Sequence, residues 1–212
     1  MTGGPLVVLD VDSTLIGQEV VDLLADHAGV GAEVAAVTEA AMRGELDFAA
    51  SLAGRVALLE GLPESVFAEV AERITVTHGV PQLVAAVHAA GGFVAAVSGG
   101  FRQVLDPLAA QLGLDRRRAN DLGVVDGRLT GRVEGAVVDA AAKRDALRTW
   151  SAELGVPASR TVAIGDGAND LLMMEEAALS VAFDAKAAVR ARADVVLPGR
   201  SMLPLLPLLG LV

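Results

Sequence analysis

Three short segments hold most of the residues able to do chemistry: Asp10-Val11-Asp12-Ser13-Thr14, Ser98-Gly99-Gly100 and Gly165-Asp166-Gly167-Ala168-Asn169-Asp170. Asp10 and Asp12 stand at i and i+2, on opposite faces if the chain stays extended, but on one pocket if a loop turns both inward. Taken alone they could equally be exposed loop carboxylates or a turn cap. Asp166, Asn169 and Asp170 add carboxylate and amide oxygens, a hard donor set that suits magnesium far better than zinc. The glycines there would make a turn, yet two further carboxylates exceed what a turn needs. Ser98-Gly99-Gly100 offers a hydroxyl and unhindered backbone N–H groups at an expected helix start, which would hold an anion such as phosphate or simply cap the helix. Lys143 follows Ala140-Ala141-Ala142 and, on local grounds, reads as a solvated helix lysine or as the cation of such a site.

The elements around these segments alternate. Apolar runs at Leu6 to Leu9, Phe93 to Val97, Thr161 to Ile164, Leu179 to Ala182 and Val195 to Leu197 read as buried strands, separated by alanine- and leucine-rich helical stretches. This predicts an α/β fold, a Rossmann-like parallel sheet. Ligands of such sheets bind beyond the carboxyl ends of the strands, where all three segments fall. Residues 17–74 lack strand patterning, and Phe48, Leu52, Val56 and Leu59 recur at helical spacing. They predict a small helical cap inserted into a core made of residues 1–16 and 75–212, with helices over Glu19 to Ala28, Ala32 to Met42, Asp47 to Glu60 and Glu64 to Arg73. Asp126-Gly127 between Leu122 to Val125 and Arg128 to Arg132 predicts a hairpin. The apolar tail Leu203 to Val212 is expected to pack on the core or on another subunit.

Composition narrows the function. The 212 residues are 53% hydrophobic, enough for a real core. There is no cysteine, so disulfides and thiolate metal sites are excluded. A net charge of −10 argues against nucleic acid as partner, and the one basic cluster, Arg116-Arg117-Arg118, reads as a solvated loop. No apolar run is long enough to cross a bilayer, and Met1 to Pro5 lack a signal-peptide pattern, so the expectation is a cytoplasmic protein without a membrane partner, as monomer or homodimer. No glycine-rich nucleotide loop is present. His27, His78 and His88 stand alone and read as structural or surface residues.

Taken in order, Asp-x-Asp-x-Thr, then Ser98, then Lys143, then Gly-Asp-Gly-x-Asn-Asp, the chain resembles the haloacid-dehalogenase-like hydrolases over its whole length. Glu19, Met42-Arg43-Gly44-Glu45-Leu46-Asp47-Phe48, Ser51-Leu52, Arg55-Val56 and Leu129-Thr130-Gly131-Arg132-Val133 are similar to the branch of that family that dephosphorylates phosphoserine. The resemblance implies a Mg²⁺-dependent phosphomonoesterase, a hydrolase of serine biosynthesis. Asp10 would be its nucleophile, forming a phosphoaspartyl intermediate, and Asp12 its acid and base. Ser98, Gly99 and Lys143 would hold the phosphoryl oxygens. Mg²⁺ would be bound by Asp10, the main-chain carbonyl of Asp12, and Asp166, with Asn169 and Asp170 positioning metal water or Lys143. Glu19 and Arg55 would pair with the ammonium and carboxylate of the substrate, while Met42 and Phe48 would line the pocket or pack within the cap. The cap would close over the site, with Gly17 and Thr77-His78-Gly79 as hinges. A relative acting on another phosphomonoester, a phosphotransferase, and a non-catalytic metal-binding domain are the alternatives. The chain departs from some members of that family in lacking a further regulatory domain before the catalytic part, so no amino-acid sensing domain is expected.

Overall fold

A computed structural model describes residues 3–211. Met1, Thr2 and Val212, the ends of the expected core and tail, lie outside the described residues. In chain order the elements are β1 (Leu6–Leu9), α1 (Val20–Ala28), α2 (Gly31–Met42), α3 (Phe48–Ala57), α4 (Val66–Arg73), α5 (Val80–Ala89), β2 (Phe93–Phe101), α6 (Arg102–Leu112), β3 (Arg116–Val125) and β4 (Arg128–Glu134). They continue with α7 (Ala140–Glu153), β5 (Thr161–Gly165), α8 (Leu171–Glu176), β6 (Leu179–Phe183), α9 (Ala187–Arg190), β7 (Val195–Leu197) and α10 (Leu205–Leu208).

The strands form one seven-stranded sheet in the order β4-β3-β2-β1-β5-β6-β7. Every pairing is parallel except β3 with β4. β1 is the central strand, and all four of its side chains are fully buried, which is why it reads as an unbroken apolar run. Alternation along the strands splits the core in two. Val7, Leu9, Val94, Ala96, Val162 and Ile164 join the cluster on one face, and Leu6, Val8, Ala95, Val97 and Ala163 join the one on the other. The first cluster runs on without a break into Leu24, Leu52, Val56 and Val70 of the inserted helices.

The insert is tied down on two sides. Its two linkers hydrogen-bond to each other and to the core: Gly17 N–H donates to Thr75 O at 3.0 Å, Thr77 N–H to Leu15 O at 2.9 Å, and Thr75 N–H to the Gln18 side chain at 2.9 Å. The loop after α3 then pairs with the edge strand β4. Gly61 N–H donates to Leu129 O at 2.8 Å, Leu129 N–H to Leu62 O at 2.9 Å and Glu64 N–H to Gly127 O at 2.8 Å. Gly131, in the left-handed region at φ +71°, permits this approach, since a Cβ there would stand 2.9 Å from the Glu60 Cβ. The same contact covers a sheet edge that would otherwise be open.

Two expectations need correction. Arg116 to Arg118 form the start of β3 and pair with Ala95 to Val97, and Arg117 holds Asp106 at 2.5 Å, so the basic cluster is a strand and not a solvated loop. The helix after Ser98-Gly99-Gly100 begins only at Arg102, which leaves the three residues inside β2. The expected hairpin is present, and its turn places Asp126 at φ 51° and Gly127 at φ 70°. Leu205 in the tail is fully buried, and α10 lies against α5. Among the described residues no helix is long and apolar enough to cross a membrane.

Candidate active site

The site lies at the carboxyl ends of β1, β2 and β5. After β1 the chain makes one wide turn, with Leu15 N–H donating to Asp10 O at 3.2 Å and Ile16 N–H to Val11 O at 3.0 Å. Ser13 takes φ 58° within it. This turn brings Asp10 and Asp12 onto one cavity, resolving the i, i+2 difficulty of an extended chain. The cavity measures about 550 Å³. Asp10, Asp12, Asp166, Asn169, Gly99 and Gly100 form its floor side, and Glu19, Met42, Phe48 and Arg55 approach from the insert.

Ser98, Lys143 and Asp170 lie just beneath that floor, all buried. Lys143 reaches its place because Asp139 caps α7, accepting from Ala142 N–H at 2.8 Å, which fixes the first turn of the helix that carries it. Its Nζ donates to Asp10 Oδ1 at 2.5 Å and to Asp170 Oδ1 at 2.7 Å. Asp170 also accepts from Gly167 N–H at 3.1 Å. Burial alone would lower the Lys143 pKa, but the two carboxylates outweigh it and raise it. Lys143 is therefore a permanent cation of the site and not a solvated helix lysine.

Burial dominates the acids. It raises the Asp10 carboxyl well above the usual range; Asp170 adds to that effect and Lys143 opposes it. Burial, and after it the Glu19 charge, push Asp12 up to about 7. Burial, then Asp170, push Asp166 up to about 6. One oxygen each from Asp10, Asp166 and Asp170 lie within 4.8 Å of one another. Three carboxylates this close and this poorly solvated repel one another, and an all-oxygen set of this kind fits a hard divalent cation. The Asp12 carboxylate stands apart from that group and accepts from Val20 N–H at 3.3 Å.

Ser98 Oγ accepts from Gly100 N–H at 2.7 Å. A Cβ on Gly100 would stand 2.7 Å from Asp12 Oδ2 and 3.0 Å from Ser98 Oγ, and one on Gly99 2.9 Å from the Phe48 ring. A side chain at either glycine would thus crowd Phe48, Asp12 or Ser98, and Phe48 lies directly over this segment. Met42 is 77% exposed and stands at the rim. Glu19 accepts from Ser13 Oγ at 2.7 Å. Arg55 donates to Ser51 O at 3.3 Å; burial lowers its pKa, opposed first by Glu19 and then by Asp22.

Thr14, the threonine of the Asp-x-Asp-x-Thr motif, is buried and donates to Asp166 Oδ1 at 3.3 Å, locking the first segment to the third. Sequence reasoning missed two residues here. Lys186 lines the cavity just after β6, a fourth strand end whose polar follower the sequence displays. Asn120, buried in β3, donates to Gly99 O. The lone histidines have ordinary partners: His27 with Glu69, His78 with Ser201 and His88 with Asp115.

Comparison with known proteins agrees with this geometry. The haloacid dehalogenase-like hydrolase family matches residues 7–175. A phosphoserine phosphatase of Streptomyces coelicolor is 54% identical over 97% of this chain, which spans half (50%) of that longer relative. One from Streptococcus thermophilus is 51% identical over 89% of this chain and 87% of its own length. A solved phospho-aspartyl intermediate analogue of phosphoserine phosphatase superimposes with a TM-score of 0.91 at 40% identity, covering 97% of this chain and 99% of the other. With a family match over most of its length and half-identity to a relative of similar size, the chain belongs to the haloacid dehalogenase-like hydrolases, in their phosphoserine phosphatase branch.

Proposed function

We propose that this chain hydrolyses O-phospho-L-serine to L-serine and inorganic phosphate. One observation carries the reading: a single cavity is lined by Asp10 and Asp12 from the core and by the oppositely charged Glu19 and Arg55 from the inserted helices. Groups suited to phosphoryl chemistry and to recognition of a small zwitterion thus share one cavity. The relatives and the solved neighbour described as phosphoserine phosphatases support the same substrate.

Asp10 attacks phosphorus in line, forming a carboxyl–phosphorus bond as the phosphorus–serine oxygen bond breaks. Lys143 holds Oδ1, leaving the second oxygen of Asp10 free to attack. Asp12, protonated in part near neutral pH, gives its proton to the departing serine oxygen and then takes one from the water that opens the phosphoaspartyl group. Ser98, the Gly99 N–H and Lys143 stabilise the equatorial oxygens. Asp10 and Asp166, with Asp170 behind them, would hold Mg²⁺, with the main-chain carbonyl of Asp12 contributing. When bound, this ion would supply charge that keeps Asp10 ionised and offsets its repulsion from a phosphate dianion.

Residues 17–74 act as a cap on a core of residues 1–16 and 75–212. Arg55 pairs with the substrate carboxylate and Glu19 with its ammonium, while Phe48 and Met42 shut out water. The test is phosphate release from a panel of small phosphomonoesters with Mg²⁺. Phosphoserine should give the highest kcat/KM; equal rates across the panel would remove the substrate assignment.

A further inference from the structure

The sheet register breaks at one point near the site. Val97 pairs with Arg118 and Phe101 with Asn120, so β2 advances four residues while β3 advances two. Ser98, Gly99 and Gly100 therefore bulge out of the ladder, and their backbone groups lose the partners that a regular strand would give them. A buried, unpaired carbonyl is costly. Asn120 supplies the missing partner. Its Nδ2 donates to Gly99 O at 2.8 Å and its Oδ1 accepts from Val138 N–H at 2.7 Å. Each partner fixes the amide orientation, since a carbonyl needs a donor and an N–H an acceptor. The side chain is almost wholly buried.

The Gly99 carbonyl shares its peptide plane with Gly100 N–H, the group that donates to Ser98 Oγ at 2.7 Å. Holding one end of that plane aims the other. Val138 in turn directly precedes Asp139, the cap of the helix that carries Lys143. One side chain thus joins the bulged amides to the segment that positions the site's cation.

We propose that Asn120 is a positioning residue for phosphate: it fixes the bulged Ser98-Gly99-Gly100 backbone and the approach to α7 in the geometry that receives the phosphoryl oxygens. The inference rests on the phosphatase reading and adds a residue that touches neither substrate nor metal. Its loss should weaken binding of the phosphoryl group by roughly 10- to 100-fold, the usual effect of removing an outer hydrogen-bond partner. Preference for phosphoserine over phosphoethanolamine should stay unchanged, because Arg55 and Glu19 are untouched.

The test is calorimetric titration of inorganic phosphate, with Mg²⁺ present, into the natural chain, Asn120→Leu and Asn120→Asp, beside thermal unfolding of each. At about pH 8 both variants should bind phosphate roughly 10- to 100-fold more weakly. Asn120→Asp should recover, relative to the natural chain, as pH falls. Its buried carboxyl then gains a proton, becomes isosteric with the amide and can donate to Gly99 O. A purely structural residue would lower the unfolding temperature and leave phosphate affinity alone. Unchanged affinity in folded Asn120→Asp at the higher pH, or a loss that no lowering of pH relieves, would overturn the proposal. Should Asn120→Leu fail to fold, the pH series on Asn120→Asp decides. If the natural chain binds no phosphate, the phosphatase reading itself falls, and this inference with it.

Discussion

Lys143 Nζ and Asp10 Oδ1 stand 2.5 Å apart, joining an ammonium with no exposed surface to a carboxylate at the end of the central strand. The contact holds the proposed nucleophile in one orientation and keeps Asp10 and Asp170 from facing each other without a cation. Lys143→Met should therefore lower the stability of the metal-free protein by about 3–5 kcal/mol, as expected when one partner of a buried ion pair is removed. Added Mg²⁺ should restore part of it. Denaturant unfolding with and without metal measures this, and a loss that metal does not relieve would show that Lys143 acts by packing alone.

Asp12 and Asp166 give a pH dependence with a definite sign. Burial raises their carboxyls to about 7 and about 6 from an ordinary 3.8. Between those values the folded chain holds more protons than the unfolded one, so stability falls as pH rises through the window. Glu176 and Asp194, shifted down from 4.5 and 3.8, act only below the range from about pH 5 to about pH 7.5. Metal-free protein should thus melt several degrees higher at about pH 5 than at about pH 7.5. Mg²⁺ should flatten or reverse that slope, because bound charge favours the ionised acids. A metal-free melting temperature that rises across the window would contradict the burial argument.

Gly100 separates Asp12 from Ser98. In Gly100→Ala the new methyl carbon would stand 2.7 Å from Asp12 Oδ2, which must move. A displacement near 1 Å in this proposed acid–base group should cost roughly 100-fold in kcat. The unfolding temperature should change little. Unaltered kcat would mean that the position of Asp12 is not critical to turnover.

Arg55 and Glu19 are the groups proposed to set selectivity. Phosphoethanolamine lacks the carboxylate that Arg55 would clasp, so phosphoserine should be favoured by roughly 30-fold or more in kcat/KM. Arg55→Ala should erase most of that preference by harming phosphoserine alone. Equal losses for both compounds would assign Arg55 to phosphate binding or to cap stability.

These features were unequally visible in the sequence. β1, β5 and the α1 to α4 stretch were legible because burial on both strand faces, or on one helix face, writes an apolar run or a helical period directly. The oxygen-rich followers of β1 and β5 located the site for the same reason. β3 was hidden: Arg116 to Arg118 pair with β2 on one side only and stay largely solvated, and such a polar edge segment has the composition of a loop until its pairing with β2 is seen. The bulge at Ser98 to Gly100 is a difference in register between two strands, and Asn120 acts across it, so neither leaves a local mark. The pairing of Gly61 to Glu64 with β4 is likewise tertiary, and it anchors one side of an insert for which sequence alone suggested only two hinges.

The most direct test of the account is to mix the protein with phosphoserine labelled in its phosphoryl group and Mg²⁺, quench with acid within a single turnover, and map the label by peptide mass spectrometry. The label should appear transiently on Asp10, be released by hydroxylamine as an acyl phosphate is, and be absent from Asp10→Asn. Phosphate release with no labelled protein at any time, or a label on Ser98 instead, would contradict the nucleophilic role of Asp10.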